Sequence, residues 1–243
     1  MKKLLVFSVV LIFAFGCQDG ELESPSISKD GFQLERLSKL YIDIKTFNNV
    51  RQAGGIENWM ASVNESLVDH SIQLEKIEYY EADGAGNTVY FDDRGNKQLS
   101  SDFVPGDLRR GGFLDIAYAL DGTEGTTTSG LSQAQTDGAI LRAMNTWDNI
   151  SCSEGLVLTN LGASPFDLGY VESLVTFGAE GSFFFTDIMH SGFNTTVTDA
   201  VFGPGSNVLG VTFTFIWAEA GVPTDIDNNG KTDVAFRDIY YND

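Results

Sequence analysis

The sequence predicts an α+β fold: a twisted, mostly β sheet with a backing helix, preceded by a helical and hairpin N-terminal region. Three observations predict it. Apolar runs, continuous or alternating and bounded by Gly, Asn, Asp and Pro, recur from Lys76 to the C-terminus, as strands and their turns do. Within that stretch, residues 132–150 show the best helical spacing of apolar positions. Ahead of it, residues 30–75 carry two further helical stripes, split by Gly54-Gly55.

The chain opens with Lys2, Lys3 and an apolar run of about a dozen residues from Leu4 to Phe15, the charged start and hydrophobic stretch of a secretory signal. That run is too short to span a bilayer, which takes about 20 apolar residues. Ala14-Phe15-Gly16-Cys17 resembles the lipobox of bacterial lipoproteins. Residues 1–16 are therefore expected to be removed as a signal peptide, and Cys17 to carry lipid that holds the protein at a membrane. Residues 17–30, with Asp19, Glu21, Glu23 and Pro25, read as an acidic tether with nothing to build a core. Acidic residues directly after the cysteine also resemble the export signal of surface-exposed lipoproteins, which implies an extracytoplasmic place on the outer membrane or cell surface.

Charge narrows the function classes. Formal net charge is −19, and removal of the signal deletes Lys2 and Lys3 and no acid, which takes it to −21. A surface of that sign repels phosphates, so nucleic acid is excluded as a partner; divalent cations suit it. With Cys17 lipidated, Cys152 has no cysteine left for an internal disulfide and reads as a buried structural thiol.

In the leader region, residues 31–110, the first helical stripe is Leu34, Leu37, Leu40, Tyr41 and Ile44, and the second is Ile56, Trp59, Met60, Val63 and Leu67. Residues 77–80 and 88–91 flank a turn at 83–87 as a β-hairpin, with another turn at 93–96. A Gly- and Arg-rich loop around 105–112 marks the start of the main domain, 111–243. There a strand is expected at 114–120, followed by a Gly/Thr loop. Ser132 and Gln135 are spaced as a capping box, in which each side chain satisfies a free amide at the helix start. Ile140, Ala143, Met144, Trp147 and Ile150 mark the expected core face of that helix. Short strands are expected at 156–158, 173–177 and 183–189. A longer one covers 211–217, with Val211, Phe213, Phe215 and Trp217 on one face, and the last covers 234–241.

The sharpest local motif is the loop 225–233. Asp225, Asp227 and Asp233 at positions 1, 3 and 9, Asn229 at 5, Gly230 at 6 and Lys231 at 7 match the first nine positions of an EF-hand-type calcium loop. Position 12, which ordinarily supplies a bidentate Glu, is Phe236, so Asp238 or a more distant acid has to close the shell. The competing reading is an acidic turn between strands, held by Asx-type hydrogen bonds. Peptidase zinc centres use two histidines one helical turn apart, whereas the histidines here are His70 and His190, with no His-Glu-x-x-His. His190 is a candidate zinc ligand by its position at the end of an apolar run, and a satisfied structural histidine is the preferred reading. His70 reads as a surface or capping residue. Neither a Gly-x-Ser-x-Gly elbow nor a phosphate-binding loop occurs.

Five segments, in order, carry a resemblance: Asp115-Ile116-Ala117-Tyr118, residues 139–147, Thr186-Asp187-Ile188-Met189-His190, residues 209–213 and residues 233–242. Together they resemble the front part of secreted zincin-like metallopeptidases of the matrixin type. The resemblance implies a metzincin-like upper subdomain and zinc-dependent hydrolysis of an extracellular peptide or protein substrate, with metal-bound water as the nucleophile. In that family the last strands lead into a helix bearing His-Glu-x-x-His. This sequence stops where that helix is expected, so the chain by itself is expected to be inactive. The alternative is a non-enzymatic, calcium-stabilised surface lipoprotein acting as a binding or adhesion module.

Overall fold

A computed structural model describes residues 55–91, 100–150, 157–176, 178–182 and 186–243. The signal peptide, Cys17, the tether, the stripe from Leu34 to Ile44, the turn at 93–96 and Cys152 lie outside the described residues.

The second predicted stripe forms helix α1 (Ile56–Leu67), which buries Trp59, Met60, Val63 and Leu67. The predicted hairpin follows as β1 (Ile72–Glu81) and β2 (Gly86–Tyr90). Asn64 of α1 acts as a surrogate strand neighbour. Its side chain donates to Leu74 O at 2.9 Å and accepts from Leu74 N at 2.6 Å, which satisfies both backbone groups beside the β1 irregularity at Leu74/Lys76. Short β3 (Ser101–Asp102) precedes a 3-10 turn, Leu108–Arg110, and β4 (Ile116–Asp121).

Helix α2 (Gln133–Asp148) starts at Ser132 with the predicted capping box, the Gln135 side chain accepting from Ser132 N at 2.9 Å. Its core face differs from the expectation. Ile140 and Met144 are buried as predicted, but Leu141 joins them while Ala143 is exposed and Trp147 is 58% exposed. Ile140 and Met144 belong to both stripes, so periodicity alone does not choose between Leu141 and Trp147.

Next come β5 (Leu158–Ser164), α3 (Tyr170–Val175), β6 (Ile188–Phe193), α4 (Thr195–Phe202), β7 (Val208–Glu219), β8 (Val222–Pro223) and β9 (Thr232–Tyr241). The strand expected at 156–158 lies later in the chain, as β5. Where a strand was expected at 173–177, the chain forms α3; a short apolar run does not separate the two states, and Asp238 holds the first amides of the helix. Its Oδ2 accepts from Tyr170 N and Val171 N at 2.9 and 3.0 Å. Of the strand expected at 183–189, residues 183–185 lie outside the described residues; strand β6 starts at Ile188, which puts His190 inside β6 rather than at its end.

The sheet order is β2-β1-β7-β9-β6-β4-β5, with β3 beside β9 and β8 beside β7. Strands β5, β4, β6 and β9 are parallel, and β7, β1 and β2 continue antiparallel. Because β1 pairs with β7 from Ile72↔Trp217 to Glu81↔Val208, the leader hairpin extends the same sheet. Helices α1, α3 and α4 cover one face, around Ile77, Phe213, Phe215 and Phe236. Helix α2 covers the other, with Ile140, Leu141 and Met144 over Tyr118, Leu120 and Ile188.

Candidate functional site

Four parallel strands bring their carboxyl ends to one edge of the sheet, the place where open α/β sheets hold ligands. A cavity of about 300 Å³ lies there. Its wall carries five carboxyl groups, from Glu124, Asp167, Glu172, Glu180 and Asp243, and no lysine or arginine.

Beneath the cavity, Asp121 at the end of β4, Glu124 in the following loop and His190 of β6 each offer a ligand atom within 4.8 Å of the others, an arrangement that can hold a metal ion. His190 is fully buried and stacks on Tyr240, with ring centroids 4.1 Å apart. Its Nδ1 faces the Ile239 carbonyl oxygen at 2.7 Å and its Nε2 faces Glu124 Oε1 at 2.9 Å. Both partners are acceptors, so both ring nitrogens donate and the ring is an imidazolium. Burial opposes that charge, but the hydrogen bond to Glu124 and the charges of Asp121, Glu124 and Asp238 outweigh it and push His190 up to about 9.

The surrounding acids move the same way. Burial pushes Asp121 up to about 6 against the pull of His190. Its Oδ1 accepts from Thr123 N and Oγ1 at 2.7 Å each, and its Oδ2 from Leu168 N at 2.5 Å. Burial also raises Asp238 to about 6 and Glu172 to about 8. Asn194 Nδ2 donates to Glu172 Oε1 at 2.5 Å and lies 3.4 Å from Glu124 Oε1. Glu172 Oε2 and Asp238 Oδ1 are buried with no hydrogen-bond partner among the described residues.

The loop 225–233 is the second group. Asp225, Asp227 and Asp233 offer ligand atoms within 4.8 Å of one another, enough to hold a metal ion. Asp225 accepts from Asn229 N and Gly230 N at 3.0 and 2.9 Å, and Asn229 Oδ1 accepts from Lys231 N at 2.8 Å, the expected Asx-type bonds. Gly230 takes φ 83° at the sharp turn. Asp233 is fully buried and accepts from Arg109 Nη2 at 2.7 Å and Thr224 Oγ1 at 2.6 Å. Phe236 belongs to the core and Asp238 to the His190 cluster. The distant acid that does reach the loop is Asp102, whose Oδ2 accepts from Asn229 Nδ2 at 2.9 Å and Lys231 Nζ at 2.8 Å.

His70 ends the 3-10 turn after α1, half-buried and remote in sequence from either group. The residues missed by sequence reasoning are Asp121, Glu124, Glu172 and Asn194. Their one sequence signal is the place of Asp121 and Asn194 at the ends of apolar strands. Among the described residues no helix is long and apolar enough to cross a membrane. No protein-family model, curated protein or solved structure matches this chain.

Proposed function

We propose that this is a lipid-anchored, extracytoplasmic protein, held at the outer membrane or cell surface through Cys17, whose residues 111–243 are a metallopeptidase-like sheet subdomain. The observation that carries the reading is convergence. The five segments that resemble matrixin-type peptidases, spread from Asp115 to Asn242, contribute to β4, α2, β6, β7 and β9. These are four neighbouring strands and the helix packed on them.

Hydrolysis by such a fold needs zinc ligands and a general-base Glu. Neither has a counterpart in the 243 residues, which hold two histidines and no His-Glu-x-x-His, so the residues do not fit a peptidase zinc centre. Peptide-bond hydrolysis then requires a helix supplied from outside this sequence, and the 243-residue chain leaves casein intact with zinc present. Reading the gene past codon 243 in all frames tests the proposal. A His-Glu-x-x-His within a few tens of codons, and chelator-sensitive cleavage of casein by the longer product, is the expected result. A stop codon followed by unrelated sequence, with the 243-residue product soluble and cooperatively folded, overturns it. The reading then favoured is a calcium-stabilised binding or adhesion lipoprotein, which the convergence of Asp225, Asp227 and Asp233 supports.

A further inference from the structure

We propose that Asp121, Glu124 and His190 bind a divalent first-row transition metal ion, of the zinc or manganese class, at the carboxyl edge of the sheet. The site does not depend on the peptidase reading and shares no residue with the 225–233 loop.

Ligand chemistry sets the metal class. An imidazole nitrogen with two carboxylate oxygens suits zinc, manganese or iron, whereas the loop offers carboxylates and suits calcium. The supporting bonds have the form that orients metal ligands. His190 Nδ1 donates to Ile239 O at 2.7 Å, which turns Nε2 toward Glu124, and a bound metal takes the place of the proton that Nε2 shares with Glu124 and releases it to solvent. Thr123 and Leu168 fix both oxygens of Asp121.

Space is kept open at the same point. A Cβ on Gly192 would stand 3.0 Å from His190 Nε2 and 3.2 Å from Glu124 Cγ, tighter than nine in ten real Cβ contacts, so that one of the two would have to shift by a few tenths of an ångström. Glycine two residues along β6 from His190 therefore spares the His190–Glu124 pair that crowding.

A second, independent feature points to a cation. Glu172 is 2% exposed and forms part of the cavity wall, yet its Oε2 has no hydrogen-bond partner among the described residues. An unpaired buried polar atom is unfavourable, and a bound cation with its water shell offsets that cost. Asn194 ties this carboxyl to the ligand set, bonding Glu172 Oε1 at 2.5 Å beside Glu124 Oε1 at 3.4 Å.

The full chain, stripped with EDTA and titrated with zinc by calorimetry and with cobalt by visible absorption, tests the proposal. Expected are one zinc per chain at this site and cobalt bands that change in His190→Gln. Glu124→Gln, in a loop, should weaken zinc by at least about tenfold, while D225N/D227N leaves this affinity unchanged. If His190→Gln fails to fold by circular dichroism, Glu124→Gln decides. Absence of zinc binding at millimolar metal by folded wild-type protein overturns the proposal. So does zinc binding that D225N/D227N abolishes and Glu124→Gln retains.

Discussion

Replacing Arg110 with alanine should destabilise the protein by about 3–5 kcal/mol, the cost of stranding one member of a buried ion pair. Arg110 is 1% exposed and Asp187 is fully buried. The guanidinium meets the carboxylate with two bonds, Nε to Oδ1 at 2.8 Å and Nη2 to Oδ2 at 2.7 Å. It also donates to Val104 O at 2.6 Å and Asp115 O at 2.9 Å. Without it, Asp187 keeps Ala117 N, at 2.9 Å, among the described hydrogen bonds, and two carbonyls lose a donor. For a chain of this size each kcal/mol lowers Tm by about 2–4 °C, so a fall of roughly 6–20 °C is expected. Urea unfolding followed by circular dichroism measures it. Arg110→Lys should recover only part of the loss, because an ammonium cannot present the planar fork that takes both oxygens. A folded Arg110→Ala protein that loses less than about 1 kcal/mol, the range of an exposed pair, would refute the assignment of this pair as a buried clamp.

Stability of the metal-free protein should fall as pH rises. His190 is raised from 6.5 to about 9, so its contribution, roughly 3 kcal/mol at about 1.4 kcal/mol per unit, is complete below about pH 6.5 and lost as pH passes 9. The raised carboxyls of Asp121, Asp238 and Glu172 also bind protons better when folded, which gives the same sign from about pH 4 upward. Thermal melts should show a lower Tm at pH 9 than at pH 6, and a rise across that range would contradict the imidazolium assignment. Calcium at 100 times its Kd should stabilise the chain by about 2.7 kcal/mol; D225N/D227N should abolish that shift in a melt with calcium against EGTA, and an unchanged wild-type melt removes calcium from the loop. Cys17→Ser should eliminate incorporation of labelled palmitate and release the protein from the membrane fraction, whereas retained labelling would end the lipoprotein reading.

Elements whose pattern is local were legible in the sequence. The α1 stripe, the hairpin around residues 83–87, the capping box at Ser132 and the alternation of β7 and β9 each depend on residues within a turn or two of one another. Helix α3 was not legible, because the carboxylate that holds its first amides, Asp238, lies 68 and 67 residues away from Tyr170 and Val171. The same contrast separates the two metal-capable groups. Spacing alone revealed Asp225, Asp227 and Asp233, which share one loop. Glu124 and His190 meet across 66 residues, and only the parallel order of β4 and β6 brings them together.

Charge is sorted between the two edges of the sheet, and that sorting makes a final prediction. At the starting ends of the parallel strands, neighbouring arginines of one 3-10 turn each hold an acid. Arg110 takes Asp187 just before β6, and Arg109 takes Asp233 at the start of β9. At the finishing ends the cavity has acids and no arginine or lysine. Asp187 of the clamp and His190 of the metal-capable group are three residues apart along the run into β6, roughly 10 Å at about 3.3 Å per residue. Sites that far apart with no shared partner act additively within about 0.5 kcal/mol. The double variant Arg110→Ala/Glu124→Gln should therefore lose the sum of the two single losses in urea unfolding, while Arg110→Ala alone, below its melting temperature, should keep the zinc affinity of the wild type. Coupling well above 1 kcal/mol, or a zinc site that fails when only Arg110 is removed, would mean that the clamp positions His190 through β6 and that the two edges form one cooperative unit.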